Sequence, residues 1–356
     1  MKFALTAATM TLCAAFSLSA QAFDGYHLES ATTVKNKGGG WDGVSLDSAR
    51  GQLYLGLRKE GLQVFDLKKK KVIKTIANTE GTSGVTLIPD FDLGVSNNAP
   101  GSITPFKLST GKAGAAMPMG GELEDSVYDP ATKRLVVKMG AKGDATEFEV
   151  LEVPSLKKVG TIKIPSKRLD GTAVDGKGNL FADARDKNVV FRIDMKSLQV
   201  NAEWKIDNCE VPSGMDIDPD NQRLFVGCRG KGEVKPVLAV LDTQSGKTVF
   251  THEIGRQNGA VVYDAASKRI FTANGYDAFL VIFQQFGPDT YKPVEALGTR
   301  PGVRTIAYDE KTQKIYGIAA EGSADFGKKI NTSVGPFYPN TFFPDTLQVL
   351  TYSKKK

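Results

Sequence analysis

The sequence predicts an all-β protein built from seven similar units, and three observations support this. A small residue, an alternating apolar run and an acidic turn recur seven times after residue 40, at intervals of roughly 40 residues,. No segment after residue 23 shows a sustained helical period,. The last unit lacks one strand, and the N-terminal region contains a strand to spare. This combination is typical of a seven-bladed β-propeller with four-stranded blades.

Each copy of the motif covers the first two strands of one blade. The copies are GVSLDSARGQLYLG (Gly43–Gly56), GVTLIPDFDLGVS (Gly84–Ser96), DSVYDPATKRLVV (Asp125–Val137), GTAVDGKGNLFAD (Gly171–Asp183), GMDIDPDNQRLFVG (Gly214–Gly227), GAVVYDAASKRIFT (Gly259–Thr272) and RTIAYDEKTQKIYG (Arg304–Gly317). In the first repeat, an inner strand around Val44 and Leu46 is followed by strands at residues 52–57, 62–65 and 71–76,. One blade cannot bury both of its faces, so the blades must stack in a ring.

The two ends of the chain predict how the ring closes. The third strand of the seventh blade is expected at Leu347 to Tyr352, and the chain ends at Lys356 without a fourth. An unassigned strand remains at Tyr26 to Val34. We therefore expect this N-terminal strand to form the outer strand of the last blade, which would remove the open sheet edges.

The first 22 residues predict a secretory signal peptide. A charged start at Lys2 precedes an uncharged, largely apolar stretch, and Ala20-Gln21-Ala22 matches an A-x-A cleavage site,. No stop-transfer pattern follows. We therefore expect residues 1–22 to be removed, leaving residues 23–356 as a single propeller domain in the periplasm or outside the cell, without a membrane span.

After that cleavage the chain retains two cysteines, Cys209 and Cys228. Oxidising compartments favour the pairing of such thiols. Both cysteines belong to the fifth repeat, and a hairpin turning at Asp218 to Asn221 would bring them to the same height. We predict a disulfide between them; the alternative is two separately buried thiols.

Composition and histidine placement restrict the chemistry. The chain is 41% apolar and 24% charged, as in ordinary globular proteins, and its net charge of +6 permits an anionic partner without requiring one,. Its two histidines, His27 and His252, fall in predicted outer strands at the rim. A histidine-dependent catalytic triad or a multi-histidine metal site in the channel is therefore not expected.

Aligning the repeats on their turn acids places one set of residues at the mouth of the central channel, which the loops entering the inner strands should line. The set comprises Asp42, Ser83, Glu124, Asp125, Asp170, Ser213, Gly259 and Arg304. Its acids could bind a divalent cation or a cationic ligand. Alternatively, these residues satisfy backbone groups at strand starts and hold channel waters.

Three enlarged loops between second and third strands should emerge on the same face, namely Gly140–Thr146, Arg229–Pro236 and Glu321–Asp345. The longest carries Phe337, Tyr338 and Phe342 between prolines, which predicts a cap over the channel mouth,. Basic residues follow nearby strands: Arg58, Lys59, Lys167, Arg168, Arg185, Lys187, Arg229, Lys231 and Arg256. A basic rim around aromatic side chains suits an anionic ligand, including single-stranded nucleic acid.

Blade endings such as VLDTQSGKTVFTHEIG (Val240–Gly255) and blade starts such as SGMDIDPDNQRLFVGCRG (Ser213–Gly230) resemble the bacterial YncE-like, or YVTN-repeat, seven-bladed propellers. The resemblance covers essentially the whole chain after residue 22. It implies the fold and export, and it implies no particular reaction. The nearest equivalents of the YVTN tetrapeptide are FVGC at Phe225 and FTAN at Phe271, and blade 2 departs furthest from the pattern.

Three classes of function fit these observations, and the third of them is a purely structural scaffold that would bind no small molecule. The favoured one is an exported, monomeric binding propeller without a cofactor, whose loop-rich face binds an anionic ligand, a nucleic acid or a protein partner. The alternative is an enzyme that resembles the metal-dependent lactonases or the quinoproteins, with Asp42, Glu124 and Asp170 as ligands in the channel. Quinone docking in such propellers calls for a recurring tryptophan, whereas this chain contains only Trp41 and Trp204.

Overall fold

The computed structural model describes residues 25–332, 335–338 and 340–355, and it shows seven four-stranded antiparallel sheets in a ring. Apart from a single 3-10 turn at Pro89–Phe91, the described residues form no helix. The seven-bladed propeller predicted from the repeats is confirmed. The expected signal peptide lies outside the described residues.

Each blade runs from an inner strand at the channel to an outer strand at the rim. Blade 1 comprises Trp41–Asp47, Gln52–Leu57, Gly61–Asp66 and Lys71–Thr75. Blade 2 comprises Thr82–Ile88, Leu93–Asn98, Ser102–Lys107 and Met117–Pro118. Blade 3 comprises Leu123–Asp129, Arg134–Lys142, Ala145–Glu152 and Lys158–Ile164. Blades 4 and 5 comprise Leu169–Val174, Asn179–Ala184, Val189–Asp194 and Gln199–Lys205; and Pro212–Asp218, Arg223–Cys228, Val237–Asp242 and Thr248–Glu253. Blade 6 comprises Asn258–Asp264, Arg269–Asn274, Phe279–Gly287 and Thr290–Gly298.

Blade 7 closes the ring in the predicted way. Its strands are Ile306–Asp309, Lys314–Ala319 and Leu347–Lys354, and the N-terminal strand Tyr26–Val34 pairs antiparallel with the last of these. The ends of the N-terminal strand are anchored, because Tyr26 and Val34 are buried. The sheet edge that the C-terminal strand would otherwise expose is thereby covered.

The core is divided among the blade interfaces. Seven apolar clusters occur among the described residues, and each joins two neighbouring blades. Between blades 3 and 4, for example, Phe148, Leu180 and Phe191 are completely buried. Middle strands are apolar on both faces because both faces pack against a neighbour, whereas the outer strand Gln199–Lys205 alternates between exposed and half-buried positions,. Each large apolar side chain buried in this way contributes about 2–3 kcal/mol.

A turn acid closes the first hairpin in six of the seven blades, and among the described residues three of these acids also accept hydrogen bonds from a neighbouring blade. Asp129, for instance, accepts hydrogen bonds from the backbone N–H and hydroxyl of Thr132 at 3.2 and 2.6 Å. Across blade interfaces, the hydroxyl of Tyr263 donates to Asp218 at 3.1 Å, that of Tyr308 to Asp264 at 3.1 Å and that of Ser48 to Asp309 at 2.7 Å. The recurring acid is therefore a structural element that holds the register of the ring.

Candidate channel-mouth binding site

The central channel opens into a cavity of about 1020 Å³ on the face where the inner strands begin. Every channel-mouth residue predicted from the repeat alignment lines it: Asp42, Ser83, Glu124, Asp125, Asp170, Ser213, Gly259 and Arg304. The rim residues Arg58, Arg168, Arg185 and Arg229 line it as well. Residues at equivalent positions of the repeats therefore lie together around the channel mouth.

Blades 4 and 5 contribute a network of two arginines around one carboxylate. Asp170 lies 3.0 Å from the guanidinium of Arg185 and 3.5 Å from that of Arg229, and it accepts a hydrogen bond from Ser213 at 2.8 Å. Arg229 also donates to Ser213 at 2.8 Å and to the carbonyl of Asn258 at 2.7 Å. Although burial opposes it, the nearby Arg229 and Arg185 lower the pKa of Asp170. The carboxylate is therefore ionised and orients both cations.

Blades 7 and 1 repeat this arrangement with a second carboxylate. Asp42 lies 2.8 Å from the guanidinium of Arg304 and also contacts that of Arg58. Arg304 donates a further hydrogen bond to the carbonyl of Trp41 at 3.3 Å. Both arginines keep part of their surface in the cavity, with 35% of the Arg304 side chain and 51% of the Arg58 side chain exposed.

Several guanidinium groups lie close together on the side of the cavity formed by blades 4, 5 and 7. The pKa of Arg229 is lowered to about 10, chiefly by burial and also by repulsion from Arg185 and Arg304, and Asp170 offsets part of this shift. An anion that binds beside such a cation stabilises its charged form. Burial raises the pKa of the Tyr276 hydroxyl, and the charges of Arg229 and Arg304 oppose part of this shift. Tyr276 therefore lies in the same electrostatic environment as these two arginines.

Blade 3 has the opposite character. Lys138 is almost fully buried in the second strand, lies 3.6 Å from Glu124 and donates to the carbonyl of Asp170. Asp125 accepts a hydrogen bond at 2.7 Å from the backbone N–H of Ser126. Its side chain faces the cavity, yet protein surrounds the cavity walls, and this restricted hydration raises its pKa, with Lys138 opposing the shift.

A further carboxyl group is buried in blade 4, close enough to Asp170 to be affected by its charge. Asp183 is completely buried in the second strand of blade 4 and accepts a hydrogen bond from the backbone N–H of Gly171 at 3.1 Å. Its second oxygen has no hydrogen-bond partner. Burial raises the pKa of Asp183 well above its ordinary value, and the charge of Asp170 raises it further.

Lys138 and Tyr276 are among the cavity-lining side chains that sequence reasoning missed. Lys138 was visible as a single lysine in the apolar run Val136–Gly140, and a charge in such a run requires a partner or a cavity,. Tyr276 follows the second strand of blade 6, and its neighbours give no comparable signal.

The long loop of blade 7 does not reach the cavity with any of its described residues. It forms a two-stranded extension of Gly322–Ala324 with Asn340–Phe342, followed by Ile330–Thr332 with Gly335–Phe337. Phe342 packs on Trp41 with ring centroids 4.7 Å apart, and Tyr338 packs on Phe326 at 5.0 Å. The side chain of Phe337 lies outside the described part of the chain. Among the described side chains, Tyr338 and Phe342 therefore do not join the basic residues around the cavity.

The loop base rests on the connector between blades 7 and 1. Gly38 has a φ of +69°, and a Cβ atom there would lie 2.5 Å from the carbonyl oxygen of Phe342. A glycine is therefore required at this position. The other two enlarged loops also contain backbone pairing: one extends the hairpin in blade 3, and the other contains a bridge between Lys231 and Val234.

The predicted disulfide is confirmed, and it borders the site. Cys209 and Cys228 are bonded, both are buried, and their Cα atoms are 5.5 Å apart. Cys228 directly precedes Arg229, and Cys209 begins the segment that leads to Ser213. Within that segment Val211 has a φ of +57°, a conformation that costs a β-branched residue about 1–3 kcal/mol,.

A metal centre finds no support in these side chains. Within residues 25–332 and the described remainder, no group of three or more Asp, Glu, His or Cys is arranged to hold a metal ion. Asp42 and Asp170, two of the three ligands that the enzyme alternative requires, are each held by two arginines. Glu124 lies nearest to Lys138.

Comparisons with known proteins support the fold and go no further. No family model and no curated protein matches the sequence. Many solved structures match, including a chain from the crystal structure of a mitotic checkpoint complex, with a TM-score of 0.71 and 14% identity over 89% of this chain and 94% of that one. No helix in the described residues has the length and apolar character needed to cross a bilayer. The chain therefore has the fold of a seven-bladed β-propeller.

Proposed function

We propose that this chain is a binding protein whose channel mouth takes a small anionic ligand, held by Arg229 and Arg304 with support from Arg185. The observation that carries this proposal is the crowding of guanidinium groups along one side of the cavity. Burial and two neighbouring arginines destabilise the charge on Arg229, and Asp170 compensates only in part. A bound carboxylate or phosphate would supply the missing negative charge with bidentate geometry.

Export to the periplasm and membership of the YncE-like propellers form part of the same proposal. The N-terminal signal pattern and the blade motifs support them. The buried disulfide is consistent with an oxidising compartment, where such bonds persist,. Nucleic-acid binding is not favoured, because Tyr338 and Phe342, the described members of the aromatic set expected to stack on bases, do not line the cavity.

Titration calorimetry of the purified protein with citrate and with pyrophosphate tests the proposal. We expect binding that weakens as salt concentration rises, because the contact is between charges. Arg304→Gln should lower the affinity about tenfold or more, since a hydrogen bond to a charged group contributes about 1.5–3 kcal/mol. Arg304 suits this test because its side chain is partly exposed, so the ring should tolerate its loss.

Arg256→Gln is the matched control. Arg256 precedes blade 6 on the same face, pairs with Asp277 at 2.6 Å and does not line the cavity. Its replacement should leave the affinity unchanged. The more conservative Arg229→Lys should also weaken binding, because a lysine cannot reproduce bidentate contacts. Absence of binding at millimolar concentration, or equal affinity in Arg304→Gln and the unaltered protein, would contradict the proposal.

A further inference from the structure

The charges around the cavity are segregated by blade. The lining residues of blades 5, 6 and 7 include Arg229 and Arg304 and no acid, a formal charge of +2. The lining residues of blade 3 include Glu122, Glu124 and Asp125 with Lys138, a formal charge of −2. Blades 1 and 4 pair their acids with arginines, and blade 2 contributes no charged residue. One cavity therefore has a cationic and an anionic wall.

The two walls face each other. In a ring of seven, blade 3 lies across the channel from blades 6 and 7, so the path from Asp125 to Arg304 crosses the cavity, whereas Arg229 on blade 5 is two blades away from Asp125. The intervening inner surface includes the small residues Gly43, Gly171 and Gly214. A Cβ atom at Gly84 would lie 3.1 Å from the Asp125 carboxylate, so glycine at this position leaves the acid accessible.

Asp125 has a weaker set of partners than Asp42, Asp170 and Glu124. Asp42 and Asp170 each contact two guanidinium groups, and Glu124 lies 3.6 Å from the ammonium group of Lys138. The carboxylate of Asp125 accepts a hydrogen bond from the neighbouring Ser126 N–H, and no described cation lies within 4.0 Å of it. Restricted hydration raises its pKa. A cationic group beside it would relieve this cost of ionisation.

We propose that the ligand is a zwitterion whose carboxylate binds the cationic wall and whose ammonium group binds Asp125 and Glu124 across the channel, as in a short peptide with free ends. This inference rests on the proposed function and specifies its ligand class. A free α-amino acid does not fit, because its two charges share one carbon atom. Each residue of an extended peptide adds about 3.4 Å between the terminal charges, so a few residues span opposite walls.

Four compounds test the proposal by titration calorimetry: tri-alanine, N-acetyl-tri-alanine, tri-alanine amide and glycine. The second compound lacks the ammonium charge, the third lacks the carboxylate charge, and the fourth keeps both charges close together. We expect tri-alanine to bind about tenfold more tightly than each of the other three, since each loses one charge-assisted contact.

Asp125→Asn should remove the preference for tri-alanine over its acetylated form while leaving the preference over the amide. The variant keeps the acceptor for the Ser126 N–H, so the local fold should persist. Glu124→Gln provides a second test of the same wall. Glu149→Gln is the control, because Glu149 pairs with Lys158 at 2.9 Å in blade 3 and does not line the cavity.

Two results are distinguishable. Equal affinity for free and acetylated tri-alanine, unchanged by Asp125→Asn, would overturn the zwitterion and leave the anion site standing if citrate still binds through Arg304. Loss of citrate binding together with all three peptides would instead refute the proposed function on which this inference depends.

Discussion

Removing the disulfide of blade 5 should lower both the stability of the ring and the affinity of the site. The change is the double variant Cys209→Ala/Cys228→Ala. The two cysteines are 19 residues apart in sequence, and a closed loop of about 20 residues stabilises the folded state by about 3 kcal/mol through the entropy of the unfolded chain,. For a chain of this length, that loss corresponds to a decrease of about 4 °C in Tm.

The structure explains why binding should also suffer. The segment after Cys209 holds Val211 in a left-handed conformation, and its backbone carbonyl accepts a hydrogen bond from Arg229 at 3.0 Å. Such strain persists only where surrounding contacts enforce it. Without the covalent link, Val211 can relax and shift Ser213 away from Arg229. Affinity for citrate should therefore fall, whereas a purely global loss of stability would leave the binding of the folded protein unchanged.

The two tryptophans provide the assay. Trp204 borders the same blade interface as the disulfide and lies 6.1 Å from Phe181, whereas Trp41 reports on the distant junction of blades 7 and 1. In a Trp41→Phe background, fluorescence should show the surroundings of Trp204 unfolding at a lower urea concentration in the double variant than in its parent. The reasoning is refuted if the double variant unfolds at the same urea concentration as its parent and binds citrate with the same affinity.

Three further predictions concern closure, pH and the long loop. Deleting residues 25–35 should open blade 7, lower Tm and cause self-association seen by light scattering, and an added peptide of that sequence should reverse both; an unchanged Tm would contradict the closure. Burial raises the pKa of Asp216 from 3.8 to about 6, so its stabilising contribution is complete below about pH 4 and is lost as pH rises through 6,. The free energy of unfolding relative to that of Asp216→Asn should therefore fall over that window, by on the order of 2–3 kcal/mol. A difference between the two proteins that does not change with pH would contradict this prediction. Replacing residues 323–341 by two glycines should leave citrate affinity within about twofold, because no described loop residue lines the cavity, and a larger loss would restore the cap to the site,.

Much of the fold is local in origin and was therefore readable from the sequence. The turn acids, such as Asp129 and Asp264, accept hydrogen bonds from nearby backbone groups within one hairpin,. The position of each hairpin can therefore be predicted from its own repeat. The unpaired strand Tyr26–Val34 and the missing fourth strand of blade 7 predicted closure. The disulfide followed from two cysteines at the ends of one hairpin, and the channel-mouth ring followed from the alignment of the repeats.

The tertiary structure decided how those residues act on one another. Repeat alignment places Asp42 and Arg304 at one level, although their sequence separation is 262 residues, and only ring closure brings them within 2.8 Å. It could not show that Lys138 turns inward, nor that the loop base packs on Trp41 and leaves the channel mouth to the charged side chains. Charge pairing and loop direction depend on which blades meet in space, whereas strand and turn patterns depend on neighbours in the chain. The sequence by itself therefore determined the ring and the membership of its channel, and the packing of blade against blade decided the polarity of the cavity.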